Sequence, residues 1–162
     1  MIGKLRGKID SIHEDKLILD VNGVGYNIYA SSKTLSILDN KSSQEISLII
    51  ETIVREDHIH LYGFNSSVEK NWFNELCKVK GVGSKVALRI LGFLLIDDII
   101  LAINSADKSL FSKIPGIGPK LALRIVSELK DSANKIGGSI NFSDSVPISN
   151  QEKNQNLDNS SW

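Results

Sequence analysis

Apolar and polar positions alternate through the first sixty or so residues, and the period lengthens near Asn65. The stretch "KLILDVNGVGYNIYA" splits into two extended runs around Asn22-Gly23, a pair suited to a tight hairpin turn. "EISLIIETIV" and "HIHLYGF" are rich in β-branched and aromatic residues, and "REDH" separates them as a polar turn. The opening "MIGKLRGKIDSI" contains Gly3 and Gly7, whose missing side chains suit a bend or a bulge. Five short strands in so few residues predict a small closed barrel.

Past Asn65 the spacing becomes helical. Ser66 and Glu69 fit a capping box, and Val68, Trp72, Leu76 and Val79 fall on one stripe of the helix that follows. "SKVALRIL" is expected to be helical as far as Gly92, a further helix to begin at Asp97 or Asp98, and Asp107 to cap "KSLFSKI". Pro119 stands where proline is tolerated, in the first turn of the last helix. The pattern therefore predicts an α+β chain of more than one domain: an N-terminal five-stranded barrel of the OB type over 1–63, then an all-α unit over 64–134. Residues 135–162 are dense in Ser, Asn, Gly and Asp, with apolar positions too scattered for a core, and read as a flexible polar tail or linker.

Within the all-α unit the same phrase occurs twice. "GVGSKVALRIL" begins at Gly81 and "GIGPKLALRIV" at Gly116, with seven of eleven positions identical at an offset of 35. Each copy reads helix, Gly-aliphatic-Gly, Ser or Pro, Lys, helix. Glycine permits a left-handed turn and lets another backbone come close. With Val82 or Ile117 turned inward, the N–H groups of the turn and of the next helix face outward. Those donors lack intrahelical partners, and the helix dipole adds partial positive charge, so an anion fits there. Lys85 and Lys120 add a full charge, and Arg89 and Arg124 lie one turn further along the same face. The Ala-Leu-Arg-Ile run, apart from its arginines, is expected to pack.

The net formal charge is zero, but its distribution is uneven. Residues 1–70 hold eight Lys/Arg against ten Asp/Glu, whereas residues 76–135 hold ten against five. A polyanion responds to that local excess at close range. Hydrophobic content of 41% suffices for a packed core. No run of about 18 apolar residues is present for a membrane span, and the charged start is not a secretory signal. A single cysteine, Cys77, excludes an internal disulfide and reads as a buried core thiol, so a soluble cytoplasmic protein is expected. "GVGSKV" lacks the spacing and the Gly-Lys-Ser/Thr of a nucleotide-binding loop. No nucleophile–base set or metal cluster emerges, His58 and His60 sharing a strand face without a third ligand. No cofactor and no intrinsic catalysis are expected.

The doubled glycine turn resembles the helix-hairpin-helix motif of DNA-binding proteins, which grips backbone phosphates and reads little base sequence. MIGKLRG, "VNGVGY", "VREDHIHLYGF" and both turns occur in order, and over about residues 1–135 the chain resembles the RuvA family of Holliday-junction-binding proteins. The resemblance implies structure-specific binding of four-way DNA junctions during ATP-dependent branch migration in recombination and repair. It implies a homotetramer, single or paired, with the barrels at its centre and the helices along the DNA arms. Gly81, Gly83, Ser84 and Lys85 would hold one phosphate cluster, and Gly116, Gly118 and Lys120 another. Lys80 stands where the family often has a small polar residue, which should strengthen the first site. Glu56 and Asp57 match the family's acidic pin at the junction centre, with Arg55 beside them. The RuvB motor ATPase and the RuvC resolvase are the implied partners. No helical segment after Lys135 corresponds to the family's RuvB-binding domain, so motor recruitment is expected to be weak. The rival is a DNA-repair enzyme of glycosylase or nuclease type, with Asp131 as the nearest catalytic candidate. A scaffold whose glycine turns serve only packing is the third possibility.

Overall fold

Strand β1 (Lys4–Ile12) runs antiparallel to both β2 (Lys16–Val21) and β4 (Glu45–Val54). β2 turns through Asn22 and Gly23, both at positive φ, into β3 (Val24–Tyr29). β5 (Ile59–Phe64) pairs antiparallel with β4 and parallel with β3, which closes a barrel in the order β1-β2-β3-β5-β4. The computed structural model describes residues 1–135, with side chains as far as Asp131. The polar tail expected over 135–162 thus lies, beyond Lys135, outside the described residues.

Alternation explains the barrel. Along β2 and β4, every second side chain turns inward, and Leu17, Leu19, Ile28, Leu48 and Ile50 are fully buried in one core. The bulge in β1 lies between Ile9 and Ser11 rather than at either glycine. Gly7 instead marks a close approach: a Cβ there would sit 2.1 Å from the Asp20 carbonyl oxygen. Helix α1 (Ser32–Asp39) fills the β3–β4 connection, a segment for which strand alternation predicts no element. Ser31 caps it, its hydroxyl accepting from Thr34 N–H, and Leu35 and Leu38 bury one short stripe.

Helix α2 (Ser67–Lys78) begins at Ser66 as the capping box requires, with Ser66 Oγ accepting from Glu69 N–H. The Glu69 carboxylate does not reach back to Ser66. It accepts from Thr34 Oγ1 on α1, and burial raises it above the usual carboxylate range. Phe73 of α2 lies against Tyr62 and Phe64 of β5, with centroids 5.1 and 5.0 Å apart, which seats the helices on the barrel. Then follow α3 (Ser84–Phe93), α4 (Ile96–Asn104), the single-turn α5 (Ser109–Ser112) and α6 (Pro119–Lys135). α3 continues through Gly92, where the absence of a side chain lets Ser32 of α1 pack close. Cys77 is only half-buried, yet burial still pushes its thiol up to about 11. Barrel and helices make up one compact unit, Met1–Asp131.

Gly7→Ala should destabilise the chain by about 1–3 kcal/mol, because β1 cannot keep its distance from β2 with a Cβ in place. Gly3→Ala, with nothing within 4 Å, should stay within about 0.5 kcal/mol. Chemical denaturation of both variants checks the contrast.

Candidate nucleic-acid interface

The two copies of the repeated phrase adopt one local structure. In the first hairpin Val79 N–H bonds to Leu76 O at 3.1 Å, Val82 N–H to Val79 O at 3.0 Å, and Ala87 N–H to Gly83 O at 2.9 Å. In the second, Ile114 bonds to Phe111 O, Ile117 to Ile114 O and Ala122 to Gly118 O at 3.1, 3.1 and 3.0 Å, every partner 35 positions on. Val82 and Ile117 are buried, as the alternation of glycine and aliphatic residue requires. The two glycines of each turn differ in role. Gly81 and Gly116 have φ of +96° and +91°, a region that a side chain disfavours. Gly83 and Gly118 are not left-handed; both are exposed, and a Cβ on either would meet nothing within 4 Å. They leave open space in front of the helix starts.

Those starts are bare. α3 has no side-chain cap, and neither α3 nor α6 has an acidic residue in its first turn, whereas α2 has Glu69 there and α4 has Asp97 and Asp98. Uncompensated N–H groups and the positive end of the dipole therefore face outward. Lys85 and Lys120 are exposed, and among the described residues neither enters an ion pair. Of the four positions at which the copies differ, one changes the polar groups: Ser84 supplies an N–H and a hydroxyl, while Pro119 supplies neither.

Arg89 and Arg124 are exposed as well, but each is engaged across the pair of hairpins. Arg89 Nη1 donates to Pro115 O at 3.0 Å, and Arg124 Nη1 donates to Lys80 O at 3.3 Å. The Lys80 N–H in turn donates to Glu128 Oε2 at 3.2 Å. Composition and spacing point to the arginines as added charge; the bonds that cross between copies are not foreseen by either, because only the tertiary pairing of the helices creates them.

At the far end of the β4–β5 hairpin, Arg55-Glu56-Asp57-His58 forms an exposed turn closed by Arg55 N–H to His58 O at 2.8 Å. Glu56 and Asp57 thus project at a tip, away from the hairpin turns in sequence. His58 Nδ1 lies 2.7 Å from Asp57 Oδ1, and this hydrogen bond holds the Asp57 carboxyl below the usual range. The His58 and His60 rings stack at 4.0 Å, and Tyr29 lies 5.0 Å from His60. Partial burial first, and His58 second, push the His60 imidazole below its ordinary pKa. An open cleft of about 510 Å³ has Tyr29, His60 and Tyr62 on its barrel side and Lys85 and Arg89 on its α3 side. Among the described residues no three His, Cys, Asp or Glu side chains cluster as a metal site would need. No described helix is long and apolar enough to cross a membrane.

A five-stranded closed barrel carrying a tandem of glycine-turn hairpins defines a class: the OB-type barrel joined to a helix-hairpin-helix pair. Residues 1–63 match the RuvA N terminal domain, and residues 73–131 match the SAM-like helix-hairpin-helix tandem. Over 150 residues the chain is 54% identical to the Holliday junction branch migration complex subunit RuvA of Rickettsia canadensis, covering 93% of this chain and 72% of that protein. The like-named proteins of Rickettsia bellii and Rickettsia prowazekii are 48% identical over 159 residues and 55% over 139, covering 77% and 69% of their lengths. The chain belongs to the RuvA family.

His58→Ala should let the Asp57 carboxyl rise towards the ordinary aspartate value, since the hydrogen bond that favours its charged form is gone. A carboxyl carbon titration by NMR measures this; an unchanged Asp57 would contradict the assigned cause.

Proposed function

We propose that this chain binds four-way DNA junctions and holds them open for ATP-driven branch migration, as a DNA-binding subunit without catalysis of its own. The observation that carries the proposal is the pair of matching hairpins, each with an unobstructed second glycine, a helix start free of acidic residues in its first turn and a lysine that enters no ion pair among the described residues. In it, Gly81, Gly83, Ser84 and Lys85 take one set of phosphates and Gly116, Gly118 and Lys120 the other, with Arg89 and Arg124, bonded to turn carbonyls, adding positive charge nearby. Backbone donors aimed at phosphates grip without reading bases, as a junction of arbitrary sequence demands. Membership of a family whose relatives are named for the Holliday junction supports the choice of substrate.

The barrel, 1–63, is proposed as the assembly module of a homotetramer, and 64–134 as the module that follows each arm. The exposed position of Glu56 and Asp57 at a hairpin tip suits a pin: two carboxylates per chain, brought together fourfold, would repel phosphates and spread the strands. Energy for migration would come from a separate motor of the RuvB kind and cleavage from a RuvC-type resolvase, in the cytoplasm.

Gel-shift titration with a four-way junction and a linear duplex at two salt concentrations tests the proposal. The junction should bind more tightly, with affinity falling by a log–log slope of about 0.9 for each phosphate neutralised. Lys85→Ala and Lys120→Ala should each weaken binding and lower that slope by about one unit per motif engaged. Equal affinity for junction and duplex, or binding indifferent to salt, would sink the idea. Glu56→Gln with Asp57→Asn should leave junction affinity intact but fold the bound junction away from the open square form, seen as a change in energy transfer between labelled arms.

A further inference from the structure

The crossed arginine bonds join two turns that the sequence separates by 35 residues. Each acceptor is the carbonyl directly before a left-handed glycine, Lys80 before Gly81 and Pro115 before Gly116. That placement matters. Glycine restrains its own torsions less than any other residue, so the peptide plane entering the turn needs an anchor from outside. An arginine held by its own helix supplies one, with a charge-assisted hydrogen bond to the carbonyl. The clearances agree: a Cβ on Gly116 would sit 2.3 Å from Arg89 Nη1, and one on Gly81 would sit 3.7 Å from Arg124 Nη1. Gly116 therefore leaves room for the guanidinium of the opposite copy, while at Gly81 the guanidinium lies at ordinary contact distance.

A second break in the symmetry supports the same role. Lys80 corresponds to Pro115, and Glu128 corresponds to Phe93, at the common offset of 35. Lys80 has an N–H, and Glu128, one turn beyond Arg124 on α6, accepts it; Pro115 has none, and an apolar residue stands where the acceptor would be. Where the residue before the glycine offers both an N–H and a C=O, two side chains hold it; where it offers only the C=O, a single arginine does.

We infer that Arg89 and Arg124 are positioning residues, each holding the other copy's glycine turn in shape, so that the two hairpins form one coupled clamp. For its consequence in DNA binding the inference rests on the function proposed above; the brace itself does not.

Amide hydrogen exchange on the full chain, free of DNA, tests the brace. Arg124→Ala should speed exchange in the first turn, residues 80–84, and leave residues 116–120 as in the parent chain. Arg89→Ala should do the reverse. Acceleration of a variant's own hairpin, of neither turn, or of both turns and the barrel together would overturn the inference. Arg124→Lys, which keeps the charge and loses the fork, should fold and still loosen the first turn; a first turn left unchanged in it would count against the brace.

Junction binding supplies the second readout. Arg124→Ala should weaken it by roughly tenfold, the scale of a lost charge-assisted bond. Combined with Lys85→Ala the loss should be less than the two single effects together, and combined with Lys120→Ala it should be additive. The opposite pattern would make Arg124 a direct phosphate contact of its own hairpin and overturn the inference. Failure of every variant and of the parent chain to bind a junction would refute the proposed function while leaving the exchange result to decide the brace.

Discussion

Val82 and Ile117 each place an aliphatic side chain in the helical core between two exposed glycines. Once that side chain is inside, the backbone on either side has little choice. The chain must enter by a left-handed step at Gly81 or Gly116, and the next helix must begin at once with its N–H groups outward. Burying one such side chain stabilises the fold by about 1.5–3 kcal/mol. The same burial orients outward the backbone N–H groups at the start of α3 and α6. Stability and the candidate interface thus draw on one constraint.

The hairpins are useful only if they are held relative to the barrel. Aromatic packing of Phe73 on Tyr62 and Phe64 does the bulk of that, and a polar chain refines it. Asn65 Nδ2 donates to Thr34 Oγ1, which donates to Glu69, so the end of β5, α1 and α2 meet in one network. Further along, Lys33 Nζ donates to Leu94 O at 2.8 Å, placing a cation at the C-terminal end of α3. Helix α1 therefore touches both α2 and α3. Although it belongs to the barrel segment, it fixes where the first hairpin helix lies.

The strands, the Asn22-Gly23 turn, the Ser66 cap and both glycine turns were legible in the sequence because each rests on short-range periodicity or turn chemistry. Helix α1 was not: eight residues between strands carry too short a stripe to stand out from strand alternation. Gly92 reads as a stop because glycine usually ends a helix, yet here the close approach of Ser32 decides its place. Cys77 is expected in the core and is half-buried, since its helix packs on the barrel through Phe73 instead. At the candidate site the lysines and glycines could be named from the repeat. The crossed bonds of Arg89, Arg124 and Glu128 could not, since nothing in either copy alone says which carbonyl its arginine will meet.

Pro119 leads to a different kind of consequence. It stands where the other copy has Ser84, and it removes one N–H and one hydroxyl from the second hairpin. Under the proposed function the two strands of an arm would then be held with unequal strength, one by a richer set of donors than the other. A duplex is nearly the same viewed along either strand; a protein with unequal grips is not. The mismatch would make the two strands of every arm inequivalent to the helical unit, through one residue among the few that differ between two otherwise parallel phrases.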